Sequence, residues 1–401
     1  MHSNQPGIFQ SEWRAAVSGF VFAGLVGAWM RYAMSTGNWA GLEFMHVRHA
    51  HSHVMLFVWA TSAWMIILAR HMIQRGAAGA GFRRVIHASL GLGMLSFLPF
   101  LFWGYKFAEI GGLRLPISIV VSTAVMFVWY AFAWLWWRHR GVIWESSLRT
   151  LLDVSVASMV LCTIGAWLRG MLMPFGVDDM FWTTGVVHMF LNTLTDGWLL
   201  VGLLALLALR FGENLRVPRW SLFGIILALP FSFLVNVGAA EPGLRTLGAL
   251  ASGIFVLAIG RAWVPIFRRQ FVFLNVALGL VFLARLLYGI PEIMAFADRA
   301  SLRVPYLHWV FLSVVSVALW EAWGDRWMAR ATAWTSVPLV LGILPATALW
   351  PIFANSLGLE HSSFIKVGHV FTILTSLGPS LVALGWLLMT RAQKGKEEPC
   401  R

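Results

Sequence analysis

The sequence predicts an all-α integral membrane protein of twelve transmembrane helices in one domain, and three observations lead there. Of its 401 residues, 59% are hydrophobic and 12% charged. Mean hydropathy is +0.74, far from the composition of a soluble domain. Apolar runs of about 20 residues, the length that crosses a bilayer as a helix, recur along the whole chain with short connections and no soluble module between them. No charged leader with a short apolar core and a small-residue cleavage site opens the chain, so the first span is expected to stay in the membrane.

Taken in order, the expected spans lie near 14–34, 49–69, 85–105, 116–137, 151–173, 182–208, 219–238, 246–266, 270–290, 305–325, 331–353 and 364–390. The connections after even-numbered spans, with the C-terminal tail, hold 19 of the 30 Lys and Arg; those after odd-numbered spans hold 10, and Arg14 precedes the first. The positive-inside rule therefore predicts both termini in the cytoplasm of a multi-pass inner-membrane protein, with Asp178 and Asp179 facing out. The net charge of +13 is scattered between spans rather than gathered in one stripe, which argues for topology signals and against nucleic acid. Two cysteines, Cys162 and Cys400, exclude a disulfide framework and a cysteine metal site. No phosphate-cradling glycine loop and no serine nucleophile with a base appears, so nucleotide-driven and hydrolytic chemistry have no support.

Histidine carries the chemistry. His51 and His53 open the second span, His188 the sixth, His308 the tenth and His369 the twelfth, all entered from the outer face. Imidazole within a bilayer is rare and usually bound to something. Helical spacing puts His49 and His53 on one face; His51 points about 200° from His53, in line with Arg48 and Met55. The three cannot serve one metal ion. His46 and His49 read as polar residues at the water boundary. His51 and His308, at equal depth on two helices, would hold a six-coordinate haem between them. His188, Asn192 and Asp196 form a polar stripe at i, i+4 and i+8, either a metal ligand leading to a proton path or a hydrogen-bonded helix interface. His369 is open to three readings: a propionate contact, a further ligand, or a packed polar residue. The second, sixth and tenth spans are four apart, which hints at a threefold repeat.

The segment His51-Ser-His-Val-Met55-Leu-Phe57 resembles the helix 2 signature of haem–copper oxidase catalytic subunits. Arg48 and Trp59 are similar to the nitric oxide reductase branch. Tyr306-Leu-His308-Trp-Val-Phe-Leu resembles the helix 10 signature, and His188, Asn192 and Asp196 fall where that branch has a His with acidic residues four and eight on. The resemblance extends over nearly the whole chain. It implies an oxidase-like bundle with His51 and His308 as axial ligands of a low-spin haem b, with Arg48, His53 and His369 as further cofactor contacts. A reaction site for nitric oxide or oxygen would lie near His188, Asn192, Asp196 and Tyr306. The sequence departs from the family in two places. Tyr306 stands where the high-spin haem ligand belongs, and residues 219–238 contain no histidine, which leaves His188 alone of three copper ligands. Copper or a second haem thus stays open. A second resemblance is to the haem- and copper-containing membrane proteins linked to nitric oxide tolerance, through His51-Ser-His53-Val-Met-Leu-Phe, with Val54 in place of that motif's Glu.

These resemblances imply an oxidoreductase that takes electrons from an outer-side cytochrome c or quinol, with further membrane subunits as partners. Two other classes stay open: a haem sensor without turnover, and a proton- or metal-coupled transporter without haem, for which Asp153, Asp196 and Glu321 would be the buried acids.

Overall fold

Apolar runs this long cannot leave backbone amides unpaired in a bilayer, and the chain answers with helices throughout. The structure, a computed structural model, describes residues 7–172, 175–212, 216–238, 240–267, 271–346 and 361–397. In order these are α1 (Gln10–Thr36), α2 (Phe44–Gln74), α3 (Gly79–Trp103), α4 (Ile117–Val142), α5 (Ser146–Leu172), α6 (Met180–Phe211), α7 (Arg219–Ala228) and α8 (Pro242–Ile266). There follow α9 (Val272–Tyr288), α10 (Pro291–Arg299), α11 (Arg303–Trp323), α12 (Arg326–Ala346) and α13 (His361–Glu397). A two-stranded antiparallel hairpin, β1 (Ala108–Ile110) and β2 (Leu113–Leu115), joins α3 to α4, with Ala108 opposite Leu115.

Among the described residues nine helices are long and apolar enough to span a membrane, or ten if α9 and α10 are one bent span. The protein is a polytopic membrane protein, but two expected spans differ. The seventh, 219–238, is the ten-residue α7, about 15 Å long. It ends before Pro230, whose missing N–H and ring clash stop an α-helix, and a 3₁₀ turn follows at Ser232–Asn236. The ninth turns through 110° between Tyr288 and Pro291. The end of the eleventh, 347–353, lies outside the described residues, as does Cys400.

Burial sorts the helices into two sets. In α2, α6 and α11 the apolar stretch is 83%, 89% and 72% buried, against 50% or less in the other spans. These three are interior. Each also contains eight residues of π-helix: Val54–Thr61, Thr193–Leu200 and Trp309–Ser316. π-Helix is rare and gathers at functional sites. The three stretches begin directly after His53, Asn192 and His308. Their widened turns are braced by side chains: Ser62 and Ser316 each donate to the carbonyl five residues back, and Trp59 Nε1 donates to Ser316 Oγ at 2.8 Å, tying α2 to α11.

The interior is tryptophan. Trp13, Trp59, Trp64, Trp129, Trp136, Trp198 and Trp320 are among the largest fully buried side chains. Trp13 stacks on Trp323 at 4.5 Å and meets Trp59 and Trp320 edge-on or tilted; Trp64 and Trp129 both pack on Trp198. Such pairs add roughly 0.5–1.5 kcal/mol each beyond burial.

Helices come close where side chains are small, which is how helices associate in lipid. Arg14 Nη2 donates to the Thr390 carbonyl, and a Cβ on Gly24 would strike Ser380, so α1 and α13 run antiparallel and the start of one lies beside the end of the other. Gly165 of α5 lies against the backbone of α6: a Cβ there would strike the Val186 carbonyl oxygen and come within 2.9 Å of the Phe190 nitrogen. Because backbone cannot step aside, Gly165→Ala is expected to cost about 1–3 kcal/mol. A lowered thermal unfolding midpoint in detergent checks this, and an unchanged midpoint would contradict the close packing.

Candidate haem-binding site

Two faces of the start of α2 have separate environments, as helical spacing requires. On one, His53 is stacked on Phe57 and set edge-on to Phe100, and its Nδ1 is buried without a hydrogen-bond partner. His49 lies against Phe100 and Tyr105. His46 is buried beside Glu43 at 3.3 Å, in the first turn of the helix. Glu43 also takes the Lys106 ammonium at 2.8 Å, which holds its carboxyl below the usual range. Arg48 is exposed, over the Phe44 ring at 5.9 Å.

On the other face His51 meets α1. Its Nδ1 is 2.9 Å from the Ala23 carbonyl oxygen, and the ring lies over Gly27, where a Cβ would come within 3.2 Å of Cε1. On α11 the His308 Nδ1 is 2.8 Å from the Val304 carbonyl oxygen, one turn back. A carbonyl only accepts, so both rings carry their proton on Nδ1 and, when neutral, present a lone pair at Nε2. Neither Nε2 has a hydrogen-bond partner among the described residues. Both side chains are only partly buried although Ala50, Val54 and Val310 around them are sealed, so the rings border open space. They lie within electrostatic reach of one another. Each ring could therefore offer Nε2 to a metal or a haem iron, and each is fixed by a backbone carbonyl of the kind that commonly orients a ligating histidine.

The stripe on α6 divides in two. His188 Nε2 accepts from Arg303 Nη1 at 2.8 Å, and Arg303 also reaches Tyr288 and Asp298. The lone pair a metal would need is therefore in use. Among the described residues no three His, Cys, Asp or Glu side chains converge as a metal site. The residues do not fit a copper centre built on His188. Asn192, half-buried, stands just before the π stretch and, among the described residues, its side chain makes no hydrogen bond to the others. Asp196 is buried and paired with Arg285 of α9, which also donates to Ser252 Oγ and has Tyr306 close by. The second carboxylate oxygen of Asp196 has no hydrogen-bond partner among the described residues. Asp196 and Tyr306 are thus brought together, through an arginine that sequence reasoning noted only as a polar residue within a span.

Elsewhere, His369 of α13 is buried with Nδ1 unpartnered. Asp153 is partly exposed and bound by Arg140 and Trp136, so it is no buried acid. Glu321 is buried near the far end of α11, with Oε2 unpartnered. Arg31 was not foreseen. It acts electrostatically on His51, His308 and His369 together, and the signal for it was the spacing Ala23, Gly27, Arg31 along one face of α1. No protein-family model matches the chain, and no curated protein matches it.

Proposed function

We propose that the protein is a redox protein of the inner membrane that binds one haem b between His51 and His308. The observation that carries this reading is the matched pair of imidazoles, each pinned at Nδ1 to a backbone carbonyl, with no hydrogen-bond partner at Nε2 among the described residues. The haem would supply one-electron chemistry, taking electrons from an outer-side cytochrome c or a quinol. His51 is held by Ala23 and given room by Gly27; His308 is held by its own helix. Fixing both rings before iron arrives lowers the ordering cost of binding.

The same reading accounts for the three interior helices with π stretches at matching places, as a pseudo-threefold, oxidase-like bundle with both termini cytoplasmic. The antiparallel α1 and α13 and the cationic connections support that orientation. Under this reading the protein relays or senses electrons rather than reducing oxygen at a copper centre: Arg303 occupies His188, and Arg285 holds Asp196 in an ion pair beside Tyr306.

A second reading has one observation in its favour. The buried Asp196–Arg285–Tyr306 group, with one carboxylate oxygen unpartnered, suits a proton-coupled transporter. An absorption spectrum of the purified protein, reduced and oxidised, with haem quantified against protein, separates the two. About one haem b per chain with a six-coordinate spectrum is expected for the redox reading; a colourless protein would favour the transporter.

A further inference from the structure

A cation inside a span needs a counter-charge, because an unpaired charge in low dielectric is costly. Arg31 is half-buried, five residues before the end of α1, and among the described residues its only side-chain bond is a 3.8 Å contact from Nη1 to Met34 Sδ. No carboxylate there pairs with it. Its place is set by α1: Ala23 accepts from His51, Gly27 lies under the His51 ring, and Arg31 is the next position on that face, one turn beyond. The guanidinium therefore stands at the rim of the space between the two candidate ligands, and it acts electrostatically on both.

Across from it stands α13. With Arg14 at Thr390 and Gly24 at Ser380, each step along α1 is a step back along α13, which sets Arg31 opposite Ile373, about one turn from His369. His369 is 6% exposed, its Nδ1 has no partner, and it too is within electrostatic reach of Arg31. The register thus sets a guanidinium and an imidazole near one another, both able to donate hydrogen bonds and neither with an acceptor oxygen or nitrogen among the described residues.

We propose that Arg31 and His369 form a clamp for a carboxylate, and that this carboxylate is a propionate of the haem held by His51 and His308; the inference rests on the redox reading above. Haem b carries two propionates that must end somewhere other than lipid. The arginine fork matches a carboxylate in shape as well as charge. The clamp fixes which edge of the macrocycle faces the rim, and it offsets the propionate charge that would otherwise favour ferric iron.

The test is a redox titration of the purified wild type, Arg31→Gln, Arg31→Lys and His369→Leu. Arg31→Gln is expected to keep its haem and to lower the ferrous to ferric ratio at a fixed potential about tenfold, a fall of about 59 mV for one electron. Arg31→Lys keeps the charge and stays close to wild type. His369→Leu loses a hydrogen bond only, for a drop of about threefold, and it carries the test should Arg31→Gln not accumulate. Haem-loaded Arg31→Gln, or haem-loaded His369→Leu, with the wild-type potential would overturn the clamp and leave the redox reading standing. A wild type without haem would overturn the redox reading instead. In that case sodium acetate decides: a rise in thermal midpoint in wild type but not in Arg31→Gln assigns the clamp to a free carboxylate, and no rise in either overturns it.

Discussion

Alanine at either His51 or His308 is expected to abolish the six-coordinate haem spectrum, because each ring would supply one of two axial bonds and the neighbouring His53, His49 and His188 are engaged elsewhere. His53 points to the opposite face of α2, stacked on Phe57 and against Phe100. His49 lies with Tyr105. His188 is engaged by Arg303. His53→Ala and His49→Ala are therefore expected to keep the spectrum, and the four variants together separate a two-ligand haem from a loss of fold. Retention of the six-coordinate spectrum in both His51→Ala and His308→Ala would refute the ligand assignment.

The second large effect is on stability. Arg285 and Asp196 are both buried within spans, and Arg285 also donates to Ser252 while lying over the Phe255 ring at 5.5 Å. Removing one charge strands the other, which costs about 3–5 kcal/mol in comparable buried pairs. Asp196→Ala and Arg285→Ala are each expected to lower the thermal midpoint sharply. The double replacement Asp196→Leu with Arg285→Met removes both charges and is expected to recover much of the loss, since an apolar pair of similar volume can match a buried ion pair. A double variant as unstable as the sum of the single ones would mean that the two residues do not act as a pair. If the ion pair is structural, the double variant keeps haem; if it belongs to proton transport, the double variant folds but loses that transport.

What the sequence made legible followed from short-range rules. Length and apolarity located the helices, the 100° spacing separated His51 from His53, and the motif-like contexts of His51 and His308 picked them out of twelve histidines. The break after α7 was also legible in kind, since Pro230 stands in the middle of the expected span and removes a backbone donor. The less legible features depend on neighbours distant in sequence. Arg285 reads as a polar residue within a span until Asp196, 89 positions earlier, is brought to it. Arg31 reads as a topology signal until α1 is laid against α2, α11 and α13. The tryptophans could equally have formed interfacial belts; their burial in the interior is decided by which helices are central, and no local pattern in Trp13 or Trp198 states that. The π stretches are the clearest case: Val54–Thr61 and Trp309–Ser316 are ordinary apolar helix by propensity, and only their packed surroundings select the wider turn.

The central claim is that two imidazoles, from α2 and α11, hold one iron. Electron paramagnetic resonance of the oxidised, purified protein tests it most directly. The account predicts a low-spin ferric signal of two imidazole ligands, at about one spin per chain, lost in His51→Ala and in His308→Ala. A sample with no haem iron, or one whose low-spin signal survives both replacements, would contradict it.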